Sequence, residues 1–429
     1  MIKQLELNKV GPASELCVNF ADRLNVITGD NGLGKSFILD CVWWAMTRKW
    51  PAQINKRILS GNKALPGQPD GASISYIVDG KTKKDLSCTS TFDVYAQEWI
   101  SPKGRPLNPG LVLYAMVDGS FAVWDPARNY WKERDETTER PPAYVFSSQE
   151  VWNGMTSSPD DGRWLCNGII RDWASWQKEG GEAWELLRIV LETISPRGEV
   201  MKPGRLTRID LGDARDMPTV IMPYGAEVPI VHLSSAMKRM IALSYCLVWA
   251  WQEHKTTSEK ILHQSPTDSV TFLVDEIESH LHPQWQRQIV TSLLNTIKRI
   301  RGKGNTAAQV IMTTHSPMVM VAMQDIFDES RDAWFDLDLV NREVCLTRRP
   351  MEKFGDAEGW LTGPAFDMTS TRPPKVEQLI DEASKLLREK TPNPKAFEAI
   401  HQKLLSKLDP QDTFLYRWRY LATKKGLLS

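Results

Sequence analysis

Several absences narrow the chain before any motif is considered. There is no excess of charge: 53 Lys and Arg face 53 Asp and Glu over 429 residues, so any nucleic-acid surface must be a local patch. Cys17, Cys41, Cys88, Cys166, Cys246 and Cys345 are scattered without a CxxC pair. That excludes a disulfide framework and a zinc site, and predicts reduced, buried thiols in a cytoplasmic protein. No apolar run is long enough for a bilayer. The longest, Met240 to Trp251, falls short of the roughly 20 residues a spanning helix needs, and Met1 to Leu7 alternates as a strand rather than reading as a signal peptide. Internal repeats and low-complexity tracts are missing. Sustained heptads are missing too, which excludes an extended coiled coil.

What is present is a chain with 41% hydrophobic residues, enough for a large core. Seventeen tryptophans, among them Trp164, Trp173, Trp176 and Trp184, predict aromatic packing within a helical layer in preference to stacking on bases. The most informative stretch is Gly29-Asp30-Asn31-Gly32-Leu33-Gly34-Lys35-Ser36, which fits the phosphate-loop pattern GxxxxGK[ST] at every fixed position. Glycines let successive N–H groups curl round a phosphate, and the following helix, whose first turn includes Phe37 as a further nucleotide-binding candidate, adds the positive end of its dipole. Lys35 would reach the β- and γ-phosphates of ATP, and Ser36 would bind Mg²⁺. The context agrees, with a buried strand over Leu24–Thr28 and a helix from Ser36 to Thr47.

The fold class is α/β. Residues 1–60 begin a nucleotide-binding head, and 61–143 form a β-rich arm with strand candidates at Ala72–Val78, Leu86–Phe92, Leu111–Val117 and Ser120–Trp124. A short segment, 144–160, carries Gln149 directly after the strand Tyr144–Phe146. A helical insertion follows at 161–205, interrupted at Gly180-Gly181. Residues 206–350 complete the head, with strands at Leu206–Leu211 and Thr219–Met222, a long helix from Ser235 to about Glu253, and buried strands at 270–274 and 310–313. The last region, 351–429, holds a Gly/Pro-containing loop and three helices from about Lys375 to Lys424.

Two strand ends carry the chemistry. Asp275 and Glu276 follow the apolar strand 270–274, so Asp275 would join the Mg²⁺ shell while Glu276 activates the attacking water. Thr314-His315-Ser316-Pro317 follows the next strand, placing His315 at the carboxyl edge, where it can touch the γ-phosphate. Gln149 is a candidate for Mg²⁺ or the lytic water.

In this order the phosphate loop, Gln149, Leu233-Ser234-Ser235-Ala236-Met237-Lys238-Arg239, Asp275-Glu276, Glu278-Ser279-His280-Leu281-His282-Pro283 and Thr314-His315-Ser316-Pro317 resemble the motifs of ABC-type ATPases, within them the SMC, RecF and OLD-like branch. The chain looks like the ATPase subunits of the anti-phage systems Septu, retrons and PARIS. The resemblance implies an ABC-type P-loop head, a mixed sheet with flanking helices. It also implies a signature motif in which Ser234, Ser235 and Ala236 contact the γ-phosphate held by a second subunit, hence a head-to-head dimer. The family prefers glycines where this chain has Ser235 and Ala236, a departure that implies weaker activation across the dimer. It further implies a separate effector, such as a nuclease, controlled by the ATPase. The alternative is a RecF-like DNA repair ATPase that clamps duplex DNA, which would make nucleic acid a partner. Nothing in the sequence signals a membrane partner.

Overall fold

The computed structural model describes residues 1–68, 71–79, 85–100, 108–129, 142–157, 162–196, 198–301, 307–389 and 393–428. The chain divides into two compact units, Met1–Ala357 and Glu358–Ser429. Strand candidates and domain limits that fall on the intervening residues lie outside the described ones.

The first unit is built around β3 (Leu24–Gly29), in which Leu24 to Thr28 are all buried, as expected of a strand covered on both faces. It lies between β16 (Ala307–Thr313) and β17 (Asp332–Val340), and β15 (Ser269–Val274) and β7 (Leu111–Ala115) extend the parallel set. Antiparallel strands close both edges: β18 (Glu343–Arg349) on one, and β8 (Phe121–Trp124) with β9 (Tyr144–Phe146) on the other. The order is β18-β17-β3-β16-β15-β7-β8-β9. The carboxyl ends of β3, β16 and β15 are therefore neighbours, at the edge where open α/β sheets hold ligands.

A second sheet is wholly antiparallel, with β2 (Glu15–Asn19), β1 (Ile2–Asn8), β4 (Ser73–Val78), β5 (Leu86–Asp93) and β6 (Glu98–Ile100) in that order. Between the sheets runs α1 (Lys35–Thr47), buried on nearly every side, whose Ile38, Val42 and Trp43 share one core with Leu5, Tyr76 and Tyr114. Gln309 joins the sheets as a side-chain rung, its Oε1 accepting from the Ile2 N–H at 3.1 Å and its Nε2 donating to the Ile2 carbonyl at 2.8 Å. The stretch 61–143 is rich in strands, but they serve two sheets. β4 to β6 extend β1, whereas β7 and β8 enter the central sheet beside β15.

Trp44 stacks on Trp50, just before α2 (Pro51–Ile54), and meets Trp99 of β6, so these tryptophans are packing residues. In the helical layer, α3 (Ser148–Asn153) leads into a hairpin of β10 (Met155–Thr156) and β11 (Trp164–Cys166), then α4 (Ile169–Glu179) and α5 (Glu182–Ile194). Gly180, at φ 66, ends α4 in the left-handed conformation. Trp164 thus lies in a strand, half-exposed beneath the Arg171 guanidinium, while Trp173 is buried against Trp184.

Three short strands, β12 (Lys202–Pro203), β13 (Thr219–Ile221) and β14 (Glu227–Pro229), precede α6 (Ser235–Thr256). The strand expected at Leu206–Leu211 is a loop tied down by one bridge, Thr207 to Met217, because Gly204 and Gly212 flank it and nothing pairs along its length. α5 packs on α6 and on α7 (Pro283–Arg301), which in turn contacts α8 (Pro317–Met323).

No disulfide joins the six cysteines. Cys41, Cys166 and Cys246 are buried as expected, but Cys17 is exposed, because it faces outward on the edge strand β2. Among the described residues no helix is long and apolar enough to cross a membrane.

α9 (Ala357–Leu361) spans the divide between the units. The second unit holds α10 (Pro374–Arg388), α11 (Pro394–Lys407) and α12 (Thr413–Lys424), with a core of Leu379, Phe397, Leu404, Leu415 and Trp418. Phe397 stacks on Trp418 at 4.9 Å, and the Trp418 Nε1–H donates to His401 Nδ1 at 3.0 Å.

Candidate nucleotide phosphate site

β3 delivers Gly29 and α1 begins at Lys35, so the loop between them lies at the carboxyl edge of the sheet. Gly29, Gly32 and Gly34 have φ of 134°, 83° and 99°, values that side chains disfavour and that turn the loop's N–H groups inward. Nothing lies within 4 Å of where a Cβ on Gly32 would be, so the approach to the loop is open there. Asp30 and Asn31 are exposed at its tip, and Leu33 anchors it in the core. Phe37 packs against Gly11 and Pro12 against Gly34, so the turn between β1 and β2 walls one flank. Lys35 donates from Nζ to the carbonyls of Gly29 and Asp30, both at 2.8 Å. Burial lowers its basicity, while Glu276 and Asp275 oppose that shift.

Asp275 lies opposite Ser36. Ser36 Oγ donates to Asp275 Oδ1 at 3.0 Å, and Thr313 Oγ1 donates to the same oxygen at 2.7 Å. Asp275 Oδ2, by contrast, is buried without a hydrogen-bond partner, and burial pushes the carboxyl above its usual range. An unpartnered buried oxygen beside a serine hydroxyl and a phosphate loop fits a divalent cation, which would relieve both costs. Ser36 and Asp275 would hold such an ion, with phosphate oxygens and water completing its shell. Among the described residues no group of three or more His, Cys, Asp or Glu could hold a metal ion.

Glu276 takes a left-handed backbone, φ 45°, and its N–H donates to Thr313 Oγ1 at 2.7 Å. Its carboxylate is 4.0 Å from His315 Nε2, and both side chains are about one-third exposed (36% and 30%). Burial, and then Lys35, lower the His315 pKa, so the imidazole is neutral near pH 7. Glu278 holds this histidine's backbone, accepting from the His315 N–H and from Thr314 Oγ1. The loop, Asp275, Glu276 and His315 thus converge at one edge of the sheet.

Gln149 and the signature residues are placed differently. Gln149 sits in α3 with its side chain exposed, and no hydrogen bond or ion pair among the described residues joins it to this cluster. Ser234 caps α6, its Oγ accepting from the Met237 N–H at 3.4 Å, and Ser234, Ser235 and the half-buried Ala236 form the accessible end of that helix. Within one chain, that end is a helix cap.

Three contributors were not singled out from the sequence. Thr313 looks like an ordinary β-former in an apolar strand, while Glu278 and Arg239 are the end residues of two quoted motifs and carry no role of their own in that reading.

Directly behind the site, Asp40 on α1 is buried with its carboxylate accepting from the Tyr114 hydroxyl at 2.9 Å. Burial raises its pKa to about 8. The folded protein therefore keeps a proton that the unfolded chain releases near pH 4. This favours folding below that pH and is lost as pH rises through about 8. Asp40→Asn keeps the acceptor and removes the titration. It should flatten stability between pH 4 and 8 and raise the melting temperature at pH 7.5 by about 5 °C, as scanning fluorimetry would read. An unchanged pH slope would contradict this.

Fold and site together define an α/β P-loop ATPase head. The chain belongs to the family described as "AAA domain, putative AbiEii toxin, Type IV TA system", which matches residues 99–321; a second AAA-domain family matches residues 4–100. It is similar to a Septu protein PtuA of Bacillus thuringiensis, 23% identical over 409 residues, 94% of this chain and 93% of that protein. A Septu protein PtuA of Bacillus mycoides is 32% identical over 151 residues, and a retron Vc95 probable ATPase of Vibrio cholerae is 28% identical over 118 residues. These two matches cover 34% and 28% of this chain, and the chain spans only about a fifth of the two proteins, 19% and 21%.

Proposed function

We propose that this protein binds ATP with Mg²⁺, hydrolyses it, and uses nucleotide-dependent pairing of two heads to control a separate effector, such as a nuclease or toxin, in anti-phage defence. The observation that carries the nucleotide reading is the Ser36–Asp275–Thr313 knot with its unpartnered oxygen beside an open phosphate loop. In this reading Lys35 exchanges the carbonyls of Gly29 and Asp30 for phosphate oxygens. Ser36 and Asp275 would hold Mg²⁺, which would supply neutralising charge to the bound phosphates. Glu276 takes the proton from the attacking water, and the neutral His315, 4.0 Å away, contacts the γ-phosphate. The α6 end at Ser234–Ala236 would meet the phosphate bound by a second copy, with its helix dipole adding to the attraction.

The defence reading is supported by the similarity to Septu PtuA along 94% of the chain. It is tested by purifying the tagged full chain expressed from its native locus and identifying what accompanies it. A stoichiometric nuclease or toxin is the expected companion; nucleic acid alone, or nothing, would overturn the effector reading.

One observation favours nucleic acid as a second reading. Between Thr413 and Leu428 the chain has Arg417, Arg419, Lys424 and Lys425 and no acid, and Tyr416 and Tyr420 stand 60% and 68% exposed one turn apart on α12. Basic groups interleaved with accessible rings suit a sugar–phosphate strand. Binding to gapped duplex that strengthens with ATP and weakens steeply with salt would place this reading first.

A further inference from the structure

The N-terminal end of α6 and the catalytic turn after β15 are joined by one side chain. Arg239, one turn beyond Ser235, donates from Nη1 to the Val117 carbonyl at 3.0 Å and from Nη2 to the carbonyls of Asp275 at 3.0 Å and Glu276 at 3.2 Å. Among the described residues no carboxylate is paired with it. A guanidinium in that position is costly: burial makes its charged form less favourable, and the nearby Asp275, Glu276, Glu278 and Asp118 compensate from a distance. The charge is spent on three backbone carbonyls from two separate loops. One is the β7–β8 turn, where Asp118 in turn accepts from the N–H groups of Leu59 and Ser60. The other is the segment whose φ of 45° at Glu276 aims the catalytic carboxylate. A planar, five-donor fork can bridge carbonyls in this way, and an ammonium on a flexible stem cannot do so with fixed direction.

Behind this bridge lies a cavity of about 300 Å³ between α6, α3 and the β7–β8 turn, lined by Val151, Trp152, Leu243 and Ile277 and by no residue of the phosphate loop. The inner face of α6 next to Arg239 is therefore not packed solid, and the first turns of the helix have room to shift.

We infer that Arg239 is a positioning residue for hydrolysis, fixing the peptide of Glu276 from α6 and so making the catalytic carboxylate answer to how the Ser234 end of that helix is seated. The inference rests on the ATPase reading above. It assigns the coupling to a residue that touches neither phosphate nor water. Glu276 is aimed only while the helix holds both carbonyls. When a phosphate of a second head seats Ser234, the clamp tightens on the turn.

The test compares wild type, Arg239→Lys, Glu276→Gln and the double variant, full-length, for phosphate release and for binding of a fluorescent ATP analogue. Arg239→Lys should lower kcat about a hundredfold while the affinity for the analogue stays within about twofold, since only the aim of the base is lost. In the double variant it should cost nothing beyond Glu276→Gln, because the two act as one unit. An unchanged kcat, an equal loss of analogue binding, or additive losses would each overturn the assignment. Absence of turnover in wild type is a different result, sinking the ATPase reading and this inference with it. If Arg239→Lys does not fold, hydrogen exchange on the otherwise native chain decides. ATP should protect amides 274–279, and Ser234→Arg should abolish that protection. Protection that survives Ser234→Arg overturns the coupling.

Discussion

Glu276→Gln should lower ATP turnover by about a thousandfold, the middle of the range for loss of a general base, while ATP binding is retained. The structure explains why the two effects separate. The backbone of residue 276 is held by its own N–H bond to Thr313 and by Arg239 on its carbonyl, and neither contact involves the side chain. Glutamine has the same shape, and at 36% exposure the side chain can exchange a charge for an amide without a buried penalty. Lys35, Ser36 and Asp275, which the binding reading requires, do not touch the Glu276 carboxylate through any hydrogen bond in the structure. The variant should therefore accumulate in the ATP-bound form. If two heads close on two nucleotides, light scattering after gel filtration will show a dimer with ATP and a monomer without it. His315→Ala should cost less, about tenfold to a hundredfold, because the histidine assists a phosphate contact and does not take the proton. Phosphate release that continues at the wild-type rate in Glu276→Gln would remove the base from this position.

Much of this site was readable because its parts are local. The phosphate loop is eight consecutive residues between a strand and a helix, and Asp275-Glu276 and Thr314-His315 each follow an apolar strand directly. What could not be read is what tertiary pairing creates. Thr313 becomes a partner of Asp275 because β15 and β16 run parallel in a register that pairs Val274 with Met312, placing the next residues side by side. No sequence pattern announces that register. For the same reason β7 and β8 read as part of an arm. The partner of β7, β15, lies more than 150 residues further on, and β8 follows β7 into that sheet, while β4 pairs with β1, about 70 residues earlier. Gln149 shows the opposite case. Its position after a strand was legible, but Ser147 starts a helix there with a capping box to Glu150, which turns residue 149 toward solvent. Leu206–Leu211 alternates well enough for a strand, yet alternation only permits pairing, and a partner strand has to be present.

Gly29→Ala should destabilise the protein by about 3 kcal/mol and abolish tight nucleotide binding, whereas Gly32→Ala should cost only about 1 kcal/mol of backbone strain. Both glycines have positive φ, so both substitutions carry strain, and the difference lies in the surroundings. A Cβ on Gly29 would lie 2.3 Å from the Leu337 carbonyl oxygen and 2.8 Å from Leu337 Cβ, both part of β17, the strand paired with β3 at this residue. Backbone in the middle of a sheet cannot step aside as a flexible side chain can, so β3 and β17 would have to separate at their carboxyl ends. The same carbonyl of Gly29 accepts from Lys35, so moving it also displaces the lysine. Gly32 faces open space, and its methyl group would meet nothing until a phosphate arrived. A melting-temperature drop of about 4 °C for Gly29→Ala, against one of about 1 °C for Gly32→Ala, is the expected pattern. Nucleotide affinity measured on the folded fraction of each would show the first lost and the second weakened. Equal melting temperatures for the two variants would mean that the loop's glycines serve phosphate access alone, and that the β3–β17 junction does not constrain where the loop begins.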